Sequence, residues 1–162
     1  DVLQSFFLSP KSSEPFIWGA GPVFLFPTAT DDSLGAERWG MGPTGVILKQ
    51  SGPWTYGLLA NHIWSFARDD QRKEINATYL QPFLSYTFKT ATTLTCSSES
   101  TYDWVGDQWT VPLIGGVSQL VKIGRLPVSL GVNGKYWVEG PDSAPDWGVR
   151  FTMTFLFPAS QK

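Results

Sequence analysis

The sequence predicts an all-β chain: an antiparallel, up-and-down transmembrane β-barrel with about 8–9 strands in 162 residues. Three observations predict it. The last regular stretch alternates strictly. Trp147, Val149, Phe151, Met153, Phe155 and Phe157 share one face, and Gly148, Arg150, Thr152, Thr154 and Leu156 share the other. Most candidate strands run about ten to fourteen residues, longer than the usual five or six of globular sheets. About ten such residues with aromatic ends suit a tilted strand crossing a bilayer. Long and short connections also alternate, as extracellular loops and periplasmic turns do in outer-membrane barrels.

Nine strand candidates follow one another at 2–8, 16–26, 39–49, 54–66, 75–88, 92–102, 108–121, 126–138 and 147–157. None carries a 3.6-residue apolar stripe. The second and third open on a repeat, Trp18-Gly-Ala-Gly-Pro22 and Trp39-Gly-Met-Gly-Pro43, whose copies should lie near opposite rims, each Trp in an aromatic belt. The fourth follows the short turn 50–53 and carries Asn61. In the fifth, Leu80, Pro82, Leu84, Tyr86 and Phe88 oppose Gln81, Phe83, Ser85 and Thr87. The sixth follows the short turn 89–91 and holds Glu99 at mid-strand. The seventh sets Val111, Leu113 and Val117 against Pro112, Gly116 and Ser118, less cleanly. The eighth sets Val128, Leu130, Val132 and Tyr136 against Ser129, Gly131, Asn133, Lys135 and Trp137. The connections 27–38, 67–74 and 139–146 are long, 103–107 is intermediate and acidic, and 122–125 is short. Four prolines, Pro22, Pro43, Pro82 and Pro112, fall inside central strands and remove ladder donors, so bulges or local widening are expected there.

Composition agrees. Charged residues make up 16% of the chain, below the roughly 25% of soluble domains, and aromatics reach 15%. The formal charge of −2 offers no basic field, so no nucleic-acid partner is expected. No apolar run approaches the roughly 18 residues of a spanning helix, which leaves a closed barrel as the way to cross lipid. Cys96 is alone, so no intramolecular disulfide forms. The chain opens at Asp1 with no basic-then-apolar leader and reads as a mature form or a fragment.

The loop alternation also fixes orientation. With long loops outside, the last strand ends in the periplasm and the first begins outside. Bacterial single-chain barrels have even strand numbers. At least one strand is therefore expected on the N-terminal side of a single domain spanning 1–162; alternatively 2–8 is not a membrane strand and the barrel has eight.

Several segments resemble one family. They are Asp1-Val-Leu-Gln-Ser-Phe-Phe-Leu-Ser-Pro-Lys11, Gly21-Pro-Val-Phe-Leu-Phe-Pro-Thr-Ala-Thr-Asp31, Gly52-Pro-Trp-Thr-Tyr-Gly57, Asn61-His-Ile-Trp-Ser-Phe-Ala67, Leu80-Gln-Pro-Phe83, Ser100-Thr-Tyr-Asp-Trp104 and the final Trp147–Pro158 stretch. Together they look like the bacterial outer-membrane proteins grouped as "transporter" or "meta-pathway of phenol degradation" proteins. The resemblance covers essentially the whole chain. It implies a C-terminal portion of a roughly twelve-stranded barrel, a bacterial outer-membrane location, and uptake of small, partly hydrophobic or aromatic solutes. Thr95-Cys-Ser-Ser98 and Ile114-Gly-Gly116 depart from the family's pattern.

Charged or amide groups at mid-strand would be costly in a packed core and cheap beside a wet lumen. Asn61, Gln81, Glu99, Asn133, Lys135 and Arg150 are therefore the candidate pore-lining residues. They set selectivity if the lumen is open, whereas Glu99, Lys135 and Arg150 form a plugging charge network if it is narrow.

Other constellations carry less. Asn61-His62-Ile63-Trp64-Ser65 superficially resembles membrane phospholipases, which place a Ser two residues after a His. Here the spacing is three, so His62 and Ser65 face opposite ways in a strand and cannot act as base and nucleophile. The resemblance also implies that glutamine is accepted at position 62. His62 and Cys96 lie 34 positions apart and give no metal-ligand spacing. Asp31-Asp32 and Asp69-Asp70 are either solvated loop tips or cation sites bridging lipopolysaccharide phosphates. Gly19-x-Gly21 and Gly40-x-Gly42 lack the third glycine and the helix of a nucleotide loop. No catalytic residue, metal ligand or cofactor is expected.

The expectation is a passive channel in the outer membrane. Its partners are membrane lipid, lipopolysaccharide, a small-molecule solute, and a second copy or an N-terminal part. The alternatives are a structural or surface-interaction barrel with a plugged lumen, a membrane hydrolase, and a soluble ligand-binding barrel.

Overall fold

The computed structural model describes residues 1–11, 14–30, 35, 38–66, 74–124, 126–141 and 145–157. The strands are β1 (Val2–Ser5), β2 (Ile17–Phe26), β3 (Gly40–Ser51), β4 (Trp54–Ser65), β5 (Asn76–Thr87), β6 (Thr92–Ser98), β7 (Ser100–Asp103), β8 (Gln108–Ile123), β9 (Leu126–Glu139) and β10 (Trp147–Phe155). No helix occurs among the described residues. All pairs are antiparallel, and neighbours in sequence are neighbours in the sheet except β6 and β7, which both lie between β5 and β8.

β6 and β7 are one line. Against β5 the register runs from Phe83↔Ser97 to Leu80↔Ser100 without a shift, and against β8 from Ser98↔Leu113 to Thr101↔Thr110. The sheet is therefore a meander of nine lines interrupted once, at Glu99. The first line also runs past Ser5. The Phe6 amide donates to the Pro22 carbonyl at 2.9 Å, and Leu8 pairs with Ala20. Segment 2–8 thus belongs to the sheet. Among the described residues, β1 pairs only with β2 and β10 only with β9, so the sheet ends in two edges.

The tight connections follow turn chemistry. Ser51 pairs with Trp54 across Gly52-Pro53. Gly52 has φ +58°. A following proline cannot adopt positive φ, so this is a II′ turn with glycine where that turn needs it. In the connection 88–91, the Ala91 amide donates to the Phe88 carbonyl at 2.9 Å, and Ala91 itself sits at φ 58°. That is the left-handed position of a three-residue hairpin loop.

The four prolines aim their missing donors in a pattern. Phe6 and Pro22 face each other as a hydrogen-bonding pair, but Pro22 cannot return a bond to the Phe6 carbonyl. β1 stops at Ser5, one residue before this pair. Pro22 and Pro43 are Cα partners across β2 and β3, so Pro43 turns its missing donor the other way, toward His62 on β4. The β3–β4 pairing omits Gly42 and Pro43 there. A side chain at Gly21 would strike the Phe6 carbonyl oxygen, and one at Gly42 the His62 carbonyl oxygen. Each Gly-Pro of the repeat therefore does one job twice: the proline leaves a neighbour's carbonyl unbonded, and the glycine before it makes room for that carbonyl.

Pro82 and Pro112 act from opposite flanks on two adjacent residues of the sixth line, Ser98 and Glu99. The β5 pairings with β6 and β7 omit Gln81 and Pro82, which stand opposite Glu99 and Ser98. The β8 pairings with the same line omit Pro112, which stands opposite Glu99 on the other side. The break at Glu99 is the result. The expected bulge appears only at Val111/Pro112, where β8 shifts register against β9. At the other prolines the ladder loses bonds without gaining a residue; beside Pro22 and Pro43 the preceding glycine leaves room for the unbonded carbonyl.

The register sorts the side chains into two faces. One carries Thr44, Asn61, Tyr79, Gln81, Thr95, Ser97, Glu99, Asn133, Lys135, Arg150 and Thr152. The other carries Ile47, Leu58, Leu84, Leu94, Val117, Leu130, Val132, Phe151 and Met153. Burial runs opposite to that of a water-soluble sandwich. Buried Val23 (0% exposed), Thr44 (4%), Asn61 (8%) and Ile63 (7%) lie on the polar face, while Phe151 is 79% exposed and Met153 60% on the apolar one. Val128 departs from this, being buried on the apolar face between its partners Val121 and Phe155.

A charged cluster on the polar face

All six candidate residues lie on the polar face, and three of them meet. The Lys135 ammonium donates to Glu99 Oε2 at 2.9 Å. The Arg150 guanidinium donates from Nη1 to Oε1 at 2.8 Å and from Nη2 to Oε2 at 3.0 Å. One carboxylate thus receives a two-point bond from one cation and a single bond from another, the strong geometry for such pairs. Glu99 and Lys135 are each 19% exposed at the side chain, whereas Arg150 is 51% exposed. Side chains from the sixth, eighth and ninth lines converge here. Convergence over several strands marks the concave side of a curled sheet, because on a convex side they would splay apart.

Two aromatic groups frame the cluster. The Lys135 ammonium stands 4.8 Å from the centroid of the Trp137 ring. Trp137 lies beside Gly148 on β10, where a side chain would come within 3.5 Å of the indole. Tyr79, on β5, donates from its hydroxyl to Gln81 Oε1 at 3.1 Å and is the Cα partner of Asn61. Tyr79 was not among the candidates of the sequence reading, although extending the alternation of Gln81 by two residues reaches it. Asn133 is the Cα partner of Arg150 and accepts a 3.4 Å bond from Thr95 Oγ1. Asn61 and Gln81 are not part of the charged cluster. They belong with Tyr79 on β4 and β5, and Asn61 is buried.

His62 lies on the apolar face and Ser65 on the polar face, as the spacing requires. His62 Nδ1 is 2.7 Å from Thr78 Oγ1, and that hydroxyl also accepts from Trp104 Nε1 at 2.8 Å. Ser65 Oγ accepts from the Ile75 amide at 3.0 Å. Asp31, Asp32, Asp69 and Asp70 lie outside the described residues.

Aromatic rings gather at both ends of the apolar face. At the short-turn rim, Trp54 packs on Tyr86 and Tyr86 on Phe88, each at 4.8 Å between centroids. At the long-loop rim, Phe26 meets Trp39 at 5.4 Å, and Tyr102 meets Trp104 at 4.7 Å and Trp109 at 4.8 Å. Trp54 and Trp64 cap the apolar face of β4 at its two ends. Their ten-residue separation is about 34 Å along the strand.

Compared with known proteins, the chain matches no family model, no curated protein and no solved structure.

Proposed function

We propose that this chain is the wall of a bacterial outer-membrane β-barrel that passes small solutes, aromatic or partly hydrophobic ones among them, through a lumen lined by its polar face. The observation that carries the reading is the reversed burial: polar side chains converge on the concave face, and bulky apolar ones stand free on the convex face. Exposing that much apolar surface to water is unfavourable at about 25 cal/mol per Å². Acyl chains remove the penalty. The aromatic groups at both rims are what headgroup depth selects. A shallow depression of about 500 Å³ between Val117, Leu130, Val132, Phe151 and Met153 lies open on the same face. The sequence resemblance to the outer-membrane transporter family supports the same reading.

Ring closure follows from strand direction. Nine alternating lines leave β1 and β10 running the same way. An antiparallel closure therefore takes an odd number of further strands, each edge neighbour running against both. Unpaired edges do not persist in lipid.

A second reading, a barrel whose lumen is plugged, draws on the burial of Thr44 and Asn61 and on the mutual pairing of Glu99, Lys135 and Arg150. Liposome swelling separates the two. Vesicles carrying the protein should swell in isosmotic solutions of small sugars and aromatic alcohols. Vesicles that stay tight toward every solute would sink the channel and leave the plugged barrel.

A further inference from the structure

We infer that the cluster of Glu99, Lys135 and Arg150 makes this lumen prefer anions, and that a small organic anion is the class of solute it passes best. The inference rests on the channel reading above and adds the sign of the charge it selects. Two cations share one carboxylate, so the cluster carries a net charge of +1. Its donors are not used up. Arg150 has five N–H donors and gives two to Glu99, and Lys135 has three and gives one. The Arg150 side chain, 51% exposed, keeps its remaining donors toward the polar side. The indole of Trp137 lies against Lys135 and offers an apolar surface next to these donors. A cationic fork beside a ring plane suits a solute with an anionic head and a flat apolar body.

The acids on this face lie at the level of Glu99 or on its long-loop side: Asp146, whose carbonyl accepts from the Trp137 amide, stands at the level of Glu99, and Glu139 and Asp103 lie further toward the long loops. Lys135, Arg150 and Lys122 follow in order toward the short turns. An ion on the turn side of Glu99 therefore meets cations on this wall.

The test is the reversal potential in planar bilayers holding the protein under a potassium chloride gradient. The unmodified protein should reverse on the chloride side of zero. A unit charge about 10 Å from the ion path changes each ion's local concentration about twofold, hence the anion-to-cation permeability ratio about fourfold. Glu99→Gln should raise that ratio by about this factor and Lys135→Gln should lower it. Benzoate added to one side should cut the chloride current more than benzyl alcohol does, and less so in Lys135→Gln. Channels that open but reverse at zero or on the potassium side, or that ignore both substitutions, overturn the anion preference while leaving the channel intact. Bilayers without any conductance steps overturn the channel reading itself.

Discussion

Glu99 and Arg150 stand on lines separated by two others, and their side chains nonetheless meet in a two-point ion pair at 2.8 and 3.0 Å. In a flat sheet three strand spacings, together with the four residues between Glu99 and Thr95 on the row of Arg150, put them about 19 Å apart. Curling brings the side chains within reach. The pair ties the edge strand β10 to the interior of the sheet, and it lies where Pro112 leaves the Glu99 carbonyl, and Pro82 the neighbouring Ser98 carbonyl, without a ladder donor.

The pair should therefore contribute measurably to stability even though Arg150 is half exposed. Arg150→Ala should cost about 0.5–1 kcal/mol, in the range of partly exposed ion pairs. Glu99→Ala should cost more, about 1–2 kcal/mol, because it leaves Lys135 and Arg150 facing each other without the carboxylate between them. Urea unfolding of the protein in detergent micelles, run as a double-mutant cycle, measures the coupling. Strict additivity of the two substitutions would mean that the pair contributes nothing.

The Gly-Pro repeat makes a sharper prediction. A methyl at Gly42 must displace the His62 carbonyl, and backbone gives way less readily than a side chain. Gly42→Ala should cost about 1–3 kcal/mol. Pro43→Ala supplies the missing amide donor and draws that carbonyl back into the ladder. The cost of Gly42→Ala should then fall by about 1 kcal/mol in the Pro43→Ala background. An equal cost in both backgrounds would show that the carbonyl does not lie over Gly42 because of the proline.

How much of this was legible in the sequence depends on range. Alternation is local, so the nine strands, their bounds to within a few residues and the polar face of Asn61, Gln81, Glu99, Asn133, Lys135 and Arg150 could be read directly. That three of the six form one cluster could not be read, because it depends on register summed over the lines from Glu99 to Arg150. The prolines were visible as ladder breakers. Their aim was not, since whether a residue bonds to the left or to the right follows from pairings elsewhere. The same limit hid the division of the sixth strand at Glu99.

Face identity can be tested with one residue step. Val117 and Ser118 are adjacent on β8, the first on the apolar face and the second on the polar one. With lipid against the apolar face, Val117→Lys should destabilise the folded protein in vesicles by about 2–4 kcal/mol near mid-depth. Ser118→Lys should cost less than about 1 kcal/mol. Similar costs for the two would argue that both faces meet the same solvent.

Turn chemistry gives a stabilising variant. Ala91 sits at φ 58°, a conformation that costs an L-residue roughly 1 kcal/mol and glycine little. Ala91→Gly should raise the unfolding free energy by up to about 1 kcal/mol, and Gly52→Ala, at φ +58°, should lower it by about the same amount. A loss of stability in Ala91→Gly would mean that glycine's greater freedom in the unfolded chain outweighs the strain relieved.

Cys96 can report whether lipid covers the apolar face. It is exposed and lies on the apolar face, paired with Leu84 on one side and Gly115 on the other. Its neighbours along the strand on that face are Leu94 and Ser98. In water such a thiol reacts with a charged maleimide within minutes, because nothing covers it. Buried against acyl chains it does not, since neither the reagent nor the thiolate enters hydrocarbon. Protein folded in vesicles should resist labelling by a charged maleimide, and the same protein in urea should label fully. Rapid labelling by the charged reagent in intact vesicles would put Cys96 in water and remove the lipid-facing assignment of that whole row.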